Sequence, residues 1–386
     1  MKKIKVADLK DGDRYTEAIY MDPKLTNMLV PANLDLKAKD LDRITKWGVE
    51  EVYTEGELII EAPTLVKLDS NVPTTVVDPA DSKFFSTYVS MIELFSEVIT
   101  SLKKGKKPDV TTVNDIADLL IEMVESAEDI KDIDELVGYI NKSDKLGEKY
   151  AVSGVNCAIL SIIVGREFQL TPIRMKNLVI ASLLHDIGML RIPERILEKQ
   201  GNLTPEELAV VKMHPTVSFQ IVTKVLGFPE AIARIVIQHH ERWDGNGYPS
   251  KLAGEQTNLL ARILSVTDSF EAMNRSKAYR SSMIGYAAMK QILNENSKKY
   301  DASIVKVLVK VLGIYPPGSF VILNDTSIGK VIKVKPIAPL RPVIKLLIDS
   351  TGVKVEKNEE IDLVQNTKLF IVKVIDLSEL EGKLSG

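Results

Sequence analysis

From Phe84 to about residue 312 the apolar residues of this chain recur, almost without a break, at spacings of three and four, and that pattern limits the fold more than any other feature. Phe84, Tyr88, Met91, Phe95, Val98 and Leu102 share one helical face, as do Val113, Ile116, Leu119, Leu120, Met123 and Val124 further on. The same helical character runs through 150–168, 173–187, 205–225, 229–242, 258–274 and 282–298. Consecutive helices with one apolar face each can bury those faces only against one another, so the middle of the chain is expected to be a helical bundle. The ends differ. Residues 1–60 combine the strand-like IKVADL and VEEVYTE with a helix-like run from Leu36 to Trp47 that Gly48 stops. After Pro316–Pro317–Gly318 come FVIL, GKVIKV, PVIKLLID and KLFIVKVI, β-branched runs separated by Gly, Asn, Asp and Pro. The expected architecture is mainly α. It has a small α+β N-terminal domain over 1–65, a linker over 66–83, a helical connecting region over 84–144, an all-helical domain over 145–312 and a β-rich C-terminal appendage over 313–386.

Composition removes several function classes. With 45% hydrophobic residues in a chain of 386, there is ample material for a buried core, which excludes disorder as the whole story. The balance of 50 Lys+Arg against 53 Asp+Glu leaves no basic surplus for polymeric nucleic acid. Apolar stretches such as Leu178–Leu184 and Cys157–Val164 fall well short of the roughly 20 residues that a spanning helix needs, so no membrane association is expected. The opening MKKIKVADLKDGDRY has no apolar stretch behind its basic residues and does not resemble a secretory signal. The single cysteine, Cys157, cannot form an internal disulfide; within VNCAILSII it is expected to be a buried thiol, in a reducing, cytoplasmic compartment.

The chemistry is concentrated. All four histidines, His185, His214, His239 and His240, fall in one stretch of the chain. A lone helical histidine is ordinarily a satisfied core or surface residue, but each of these is near an acid or at a helix end. His185–Asp186 closes the apolar run NLVIASLL just before Gly188. Adjacent side chains on a helix diverge by about 100°, so one carboxylate can bridge two cations while its neighbouring imidazole caps one of them. His214 follows a helix start at Thr204–Pro205, and His239–His240 end a third helix. Asp268 sits in the apolar LLARILSVTDSFEAM, where an ionised carboxylate is costly without a cationic partner. Several helices each supplying one or two N/O donors is how a bundle builds a metal site. Mixed imidazole and carboxylate donors suit Fe, Mn, Zn or Ni. Two cations sharing a carboxylate point to displacement at phosphorus, and hence to hydrolysis of a phosphate ester.

HDIG (185–188), His214, HHERWDGNGYP (239–249) and Asp268 together resemble the HD-GYP family, a subset of the HD-superfamily metal phosphohydrolases, over about residues 145–312. Residues 1–60 also resemble a domain that often precedes this one. The resemblance implies an HD-type helical catalytic domain that hydrolyses cyclic di-GMP through a metal-bound hydroxide. It implies His185, Asp186, His214, His239, His240 and Asp268 as metal ligands, with Asp186 as the bridge. Gly245, Gly247, Tyr248 and Pro249 are its signature loop, and Lys277 and Arg280 fall where the family contacts ligand phosphates. Without the resemblance, WDGNGYP is a two-glycine turn after a helix, and Lys277 and Arg280 are helix-surface charge. The cofactors implied are two divalent ions, iron or manganese ahead of zinc or nickel. The partner implied is a cyclic dinucleotide, with a protein partner at the 245–249 loop and a homodimer as further expectations.

Three positions depart from the family. Ser153 stands where a metal-binding histidine is usual, Lys149 where some members have a glutamate for a third metal, and Met189 where a lysine is usual. Positions 149 and 153 share a helix face, so an ammonium there disfavours a third cation. Six donors still divide between two ions, one on His185, Asp186 and Asp268 with water, the other on Asp186, His214, His239 and His240. The alternative reading is a catalytically weakened or inactive protein that binds cyclic di-GMP or a signalling partner.

Overall fold

Several helices begin at a side chain that satisfies their first amides. Asp109 accepts from the Thr111 N–H at the start of the helix Val110–Glu125, and the Glu148 carboxylate takes both the Tyr150 and Ala151 N–H groups at the start of the helix Lys149–Glu167. The computed structural model describes residues 2–10, 13, 15–23, 28–30, 36, 40–41, 44–45, 49, 51–56, 84–127, 147–275, 284–355 and 359–375. Among these the helices are α1 (Phe85–Lys103), α2 (Val110–Glu125), α3 (Lys149–Glu167), α4 (Pro172–Leu184), α5 (Glu194–Leu197), α6 (Pro205–Val211), α7 (His214–Gln220), α8 (Glu230–Gln238), α9 (Leu259–Arg275), α10 (Ile284–Asn294) and α11 (Ala302–Leu312). The expected linker over 66–83, and Lys277 and Arg280, lie outside the described residues.

Helix α3 is the axis of the bundle. Every residue from Ala151 to Gly165 is buried, and α1, α4 and α9 pack around it. At roughly 1.5–3 kcal/mol for each fully buried Val, Leu or Ile, this one helix carries a large share of the apolar burial. Gly154 allows the approach of α4, since a Cβ there would lie 2.8 Å from the Leu183 carbonyl oxygen.

The sequence period predicts one helix over 205–225, and the structure contains a break. Helix α6 ends at Val211, α7 starts at His214, and the chain then widens into a π-helical turn over Ile221–Leu226 that Gly227 closes at φ +77°. Pro215 causes the break, because it has no N–H for the Val211 carbonyl and so cannot continue α6.

Two antiparallel sheets flank the helices in sequence. β1 (Lys2–Lys5), β2 (Ile19–Tyr20), β3 (Met28–Val30) and β4 (Glu51–Thr54) lie in the order β1-β4-β2-β3 over a small core that includes Ile19, Val30, Leu36, Ile44 and Val52. β5 (Phe320–Leu323), β6 (Ile328–Lys333), β7 (Val343–Ile348), β8 (Glu360–Asp362) and β9 (Ile371–Ile375) lie in the order β8-β7-β6-β5-β9. Alternation along β5 sends Phe320 to one face with Ile328, Ile348 and Ile375, and Val321 to the other with Val331 and Ile344. Tyr286 of α10 packs against that second face and stacks on Tyr315 with ring centroids 5.4 Å apart. No helix among the described residues is long and apolar enough to cross a membrane.

Candidate metal centre

Three histidines are aimed by one device. His185 and His239 directly follow the last residues of α4 and α8, where the final carbonyls of a helix have no amide further along to bond. His185 Nδ1 lies 2.8 Å from the Ser182 oxygen and His239 Nδ1 lies 2.5 Å from the Val236 oxygen. His214 reaches the same arrangement through Pro215: the Val211 carbonyl that the proline cannot serve lies 2.8 Å from His214 Nδ1. A carbonyl can only accept, so each Nδ1 carries a proton, and in the neutral ring each Nε2 presents a lone pair.

Those lone pairs converge. His214 Nε2 and His239 Nε2 are 3.4 Å apart, and His214 Nε2 is 3.2 Å from Asp186 Oδ1. His185 Nε2 is 3.6 Å from Asp186 Oδ2 and 3.4 Å from Asp268 Oδ1. It is wholly buried and, among the described residues, has no hydrogen-bond partner. Donor atoms of Asp186, His214, His239 and His240 all lie within 4.8 Å of one another, and those of Cys157, His185 and Asp268 form a second such group. Two bare imidazole lone pairs facing each other repel, and an unpartnered buried nitrogen is costly; a cation between them removes both penalties. The residues present therefore fit divalent metal ions, and each carbonyl-bound Nδ1 supplies the outer contact that metal-ligating histidines ordinarily make.

Charges within the bare cluster point the same way. Burial alone would push the His185 imidazole down, but the Asp186 and Asp268 carboxylates outweigh it and hold its pKa up at about 9. Burial likewise opposes ionisation of Asp186, yet the His185 and His214 imidazoles keep its carboxyl well below the usual range. Burial, together with neighbouring imidazoles, drives His239 well down and His240 to about 3. Near neutral pH a metal-stripped cluster thus holds a proton on His185, and loading it with divalent cations is expected to expel at least one proton per protein. A dye titration of the unbuffered stripped protein measures this, and metal uptake without proton release would contradict it. In the stripped protein the charged His185 stabilises the fold fully below its unfolded value of 6.5, a contribution lost as pH rises through about 9.

The loop after α8 is built on an acid that sequence reasoning missed. Buried Glu241 accepts from the Ser250 N–H at 2.7 Å and the Leu252 N–H at 3.0 Å, which folds 242–252 back over the histidines. Gly247 has no room for a side chain: a Cβ would sit 2.4 Å from the Arg242 nitrogen. Gly245 takes φ +75°, a conformation that favours glycine. Tyr248, joined to Pro249 by a cis peptide bond, lays its ring against His240 with centroids 4.9 Å apart and has Lys212 Nζ 5.5 Å from its centroid. Burial first, then the Asp186 and Asp268 carboxylates, push its hydroxyl pKa up. Glu241→Ala is expected to strand two amides, lower stability by about 2–4 kcal/mol and free the loop. Chemical denaturation, with hydrogen exchange at Ser250 and Leu252, checks this.

The departures take definite places. Ser153 is buried and donates to Glu271 Oε2 at 2.9 Å, while Asn156 Nδ2 lies 3.2 Å from Glu271 Oε1. Glu271 was not anticipated, although the argument that singled out Asp268, an acid in an apolar helix, applies equally three residues later. Lys149 is exposed, with its ammonium 5.4 Å from the Tyr150 ring centroid, although its position shares a helical face with buried Ser153. Met189 is half-buried in the 3-10 turn Ile187–Arg191 that follows Asp186.

A family described as an HD domain matches residues 145–304, and one described as a KOW domain associated with HD domain matches residues 320–383. A cyclic di-GMP phosphodiesterase of Borreliella burgdorferi is 28% identical over 353 residues, which span 91% of this chain and 90% of that protein. One of Pseudomonas aeruginosa is 26% identical over 328 residues, 82% of this chain and 78% of that protein. One of Thermotoga maritima is 35% identical over 153 residues, 39% of this chain and 42% of that protein.

Proposed function

The chain belongs to the HD-GYP family, and from that membership we propose that it is a metal-dependent phosphodiesterase that hydrolyses cyclic di-GMP. The observation that carries the reading is the set of imidazole Nε2 atoms turned toward Asp186 and Asp268, one of them buried with no hydrogen-bond partner. Bound divalent cations would supply Lewis acidity, lowering the pKa of an attacking water and neutralising charge on the phosphodiester. We propose two such ions, iron or manganese ahead of zinc or nickel.

The protein's own part is preorganisation. The backbone carbonyls of Ser182, Val211 and Val236 lock three imidazoles against rotation, so the donors need no rearrangement when substrate arrives. Asp186 directs one carboxylate oxygen toward His185 and the other toward His214, so it is the residue we assign to both ions. His240 is the donor we place at the substrate side, under the wall formed by Tyr248. The 245–249 loop and Lys212 would border the bound dinucleotide, with Lys277 and Arg280 proposed for its phosphates. The same loop is our proposed docking point for a protein partner, and the units over 1–65 and 313–386 are proposed for regulation or self-association.

A binding module without chemistry is not favoured, because all six candidate ligands are retained. Ser153 and Met189 are instead expected to slow turnover. The test is anaerobic loading of the purified protein with Fe(II) or Mn(II), followed by chromatography of cyclic di-GMP and its products. Hydrolysis that chelation abolishes is expected; a fully loaded protein that cleaves no cyclic dinucleotide would overturn the proposal.

A further inference from the structure

Resting on the metal-centre reading, we propose that Cys157 is a protein ligand of the cation shared by His185 and Asp268, so that a thiolate fills the gap left by Ser153. Three observations carry it. Cys157 Sγ, a ring nitrogen of His185 and an Asp268 carboxylate oxygen lie within 4.8 Å of one another. His185 has its Nδ1 committed to the Ser182 carbonyl, while its Nε2, in a side chain only 1% exposed, has no hydrogen-bond partner among the described residues and lies 3.4 Å from Asp268 Oδ1 of this group. Ser153, one helical turn before Cys157 on α3, is turned away to Glu271. Its hydroxyl is thus engaged elsewhere, and the next residue on that face of α3 supplies the donor.

The dimensions suit a common centre. Nitrogen and oxygen ligands about 2.0–2.1 Å from a tetrahedral ion are about 3.3 Å apart. His185 Nε2 lies 3.4 Å from Asp268 Oδ1 and 3.6 Å from Asp186 Oδ2. A sulfur ligand sits further out, about 2.3 Å from the ion, which widens its separations from the other donors. Binding is a substitution without redox change: the thiol proton leaves to solvent as the metal–sulfur bond forms. The consequence is selectivity. An all-imidazole and carboxylate site accepts manganese, whereas one thiolate shifts preference toward zinc, cobalt or ferrous iron. The two halves of the centre would then differ in softness, the Asp186, His214, His239 and His240 half remaining purely N/O.

Because Cys157 is the single cysteine of the sequence, a thiolate signal has one source. The full chain, stripped and reloaded with Zn(II), is expected to give an X-ray absorption spectrum with a sulfur neighbour at about 2.3 Å. Loading with Co(II) should add a near-ultraviolet thiolate charge-transfer band. Cys157→Ser and Cys157→Ala should both lose these signals and weaken one of two metal equivalents by about 100-fold or more, beyond what loss of an outer contact costs. Their circular dichroism should match the parent, which separates ligand loss from misfolding. Two bound ions with no sulfur neighbour would refute the thiolate ligand and leave the proposed phosphodiesterase intact. A folded protein that binds no divalent ion would end both.

Discussion

Asp186→Asn is expected to cost at least about a thousandfold in cyclic dinucleotide hydrolysis, equivalent to about 4 kcal/mol of transition-state stabilisation. The side chain is the hinge between both donor groups: Oδ1 is 3.2 Å from His214 Nε2 and 4.0 Å from His239 Nε2, and Oδ2 is 3.6 Å from His185 Nε2. An amide keeps the shape but removes the charge, and it turns an N–H group toward one of the two cations. Both ions would lose affinity at once. The fold should survive, because the backbone contact that holds the next turn, Met189 N–H to the Asp186 carbonyl at 2.9 Å, does not involve the side chain. The metal-free variant is expected to unfold somewhat earlier than its parent, since the protonated His185 keeps only Asp268 as a carboxylate partner. Metal content by mass spectrometry, with turnover on the same sample, decides the matter. Two retained ions and a rate within tenfold of the parent would remove Asp186 from the role of bridge.

Gly188→Ala should strike the same centre through packing. A Cβ at this position would meet the His214 carbonyl oxygen at 2.2 Å and both the nitrogen and Oγ of Ser218 at 2.8 Å. The first two are backbone atoms and cannot swing aside. Ser218 also bolts the two segments together, with Oγ accepting from the Gly188 N–H and donating to the His185 carbonyl, each at 2.8 Å. Adding the methyl therefore pushes α7, and His214 with it, away from the turn that carries His185 and Asp186. We expect a loss of about 3 kcal/mol or more, at the upper end of what overpacking costs. The His214 half of the centre should bind metal more weakly in whatever fraction stays folded. Thermal unfolding and metal stoichiometry check this, and a variant as stable as its parent with both ions bound would contradict it.

Much of this could be read from residues alone because the informative physics is local. Helix period identified the bundle, since each helix must bury one face, and the helix ends at Leu184 and Gln238, with the proline at 215, mark the carbonyls that orient His185, His239 and His214. The donor set was legible for the same reason: histidines at helix ends and an acid in an apolar helix are anomalous where they stand, before any partner is known. The C-terminal strands were legible as β-branched runs, but the pairing of β5 with β9 was not, since residues fifty positions apart carry no local mark of their contact.

Tertiary structure decided the choices that depend on which face meets which neighbour. Period alone places 149, 153 and 157 on one side of α3, yet in the fold Lys149 faces solvent, Ser153 meets Glu271 and Cys157 meets His185 and Asp268. Similarly, Glu241 is an unremarked acid in the sequence until the chain returns at Ser250 and Leu252 to bring it two amides. The sequence by itself determined most of the helices, though not the break within 205–225, and which donors they carry. Only the packing of those helices determined which donors share a centre, because the distance between two side chains on different elements is set by every contact between them and by no residue singly.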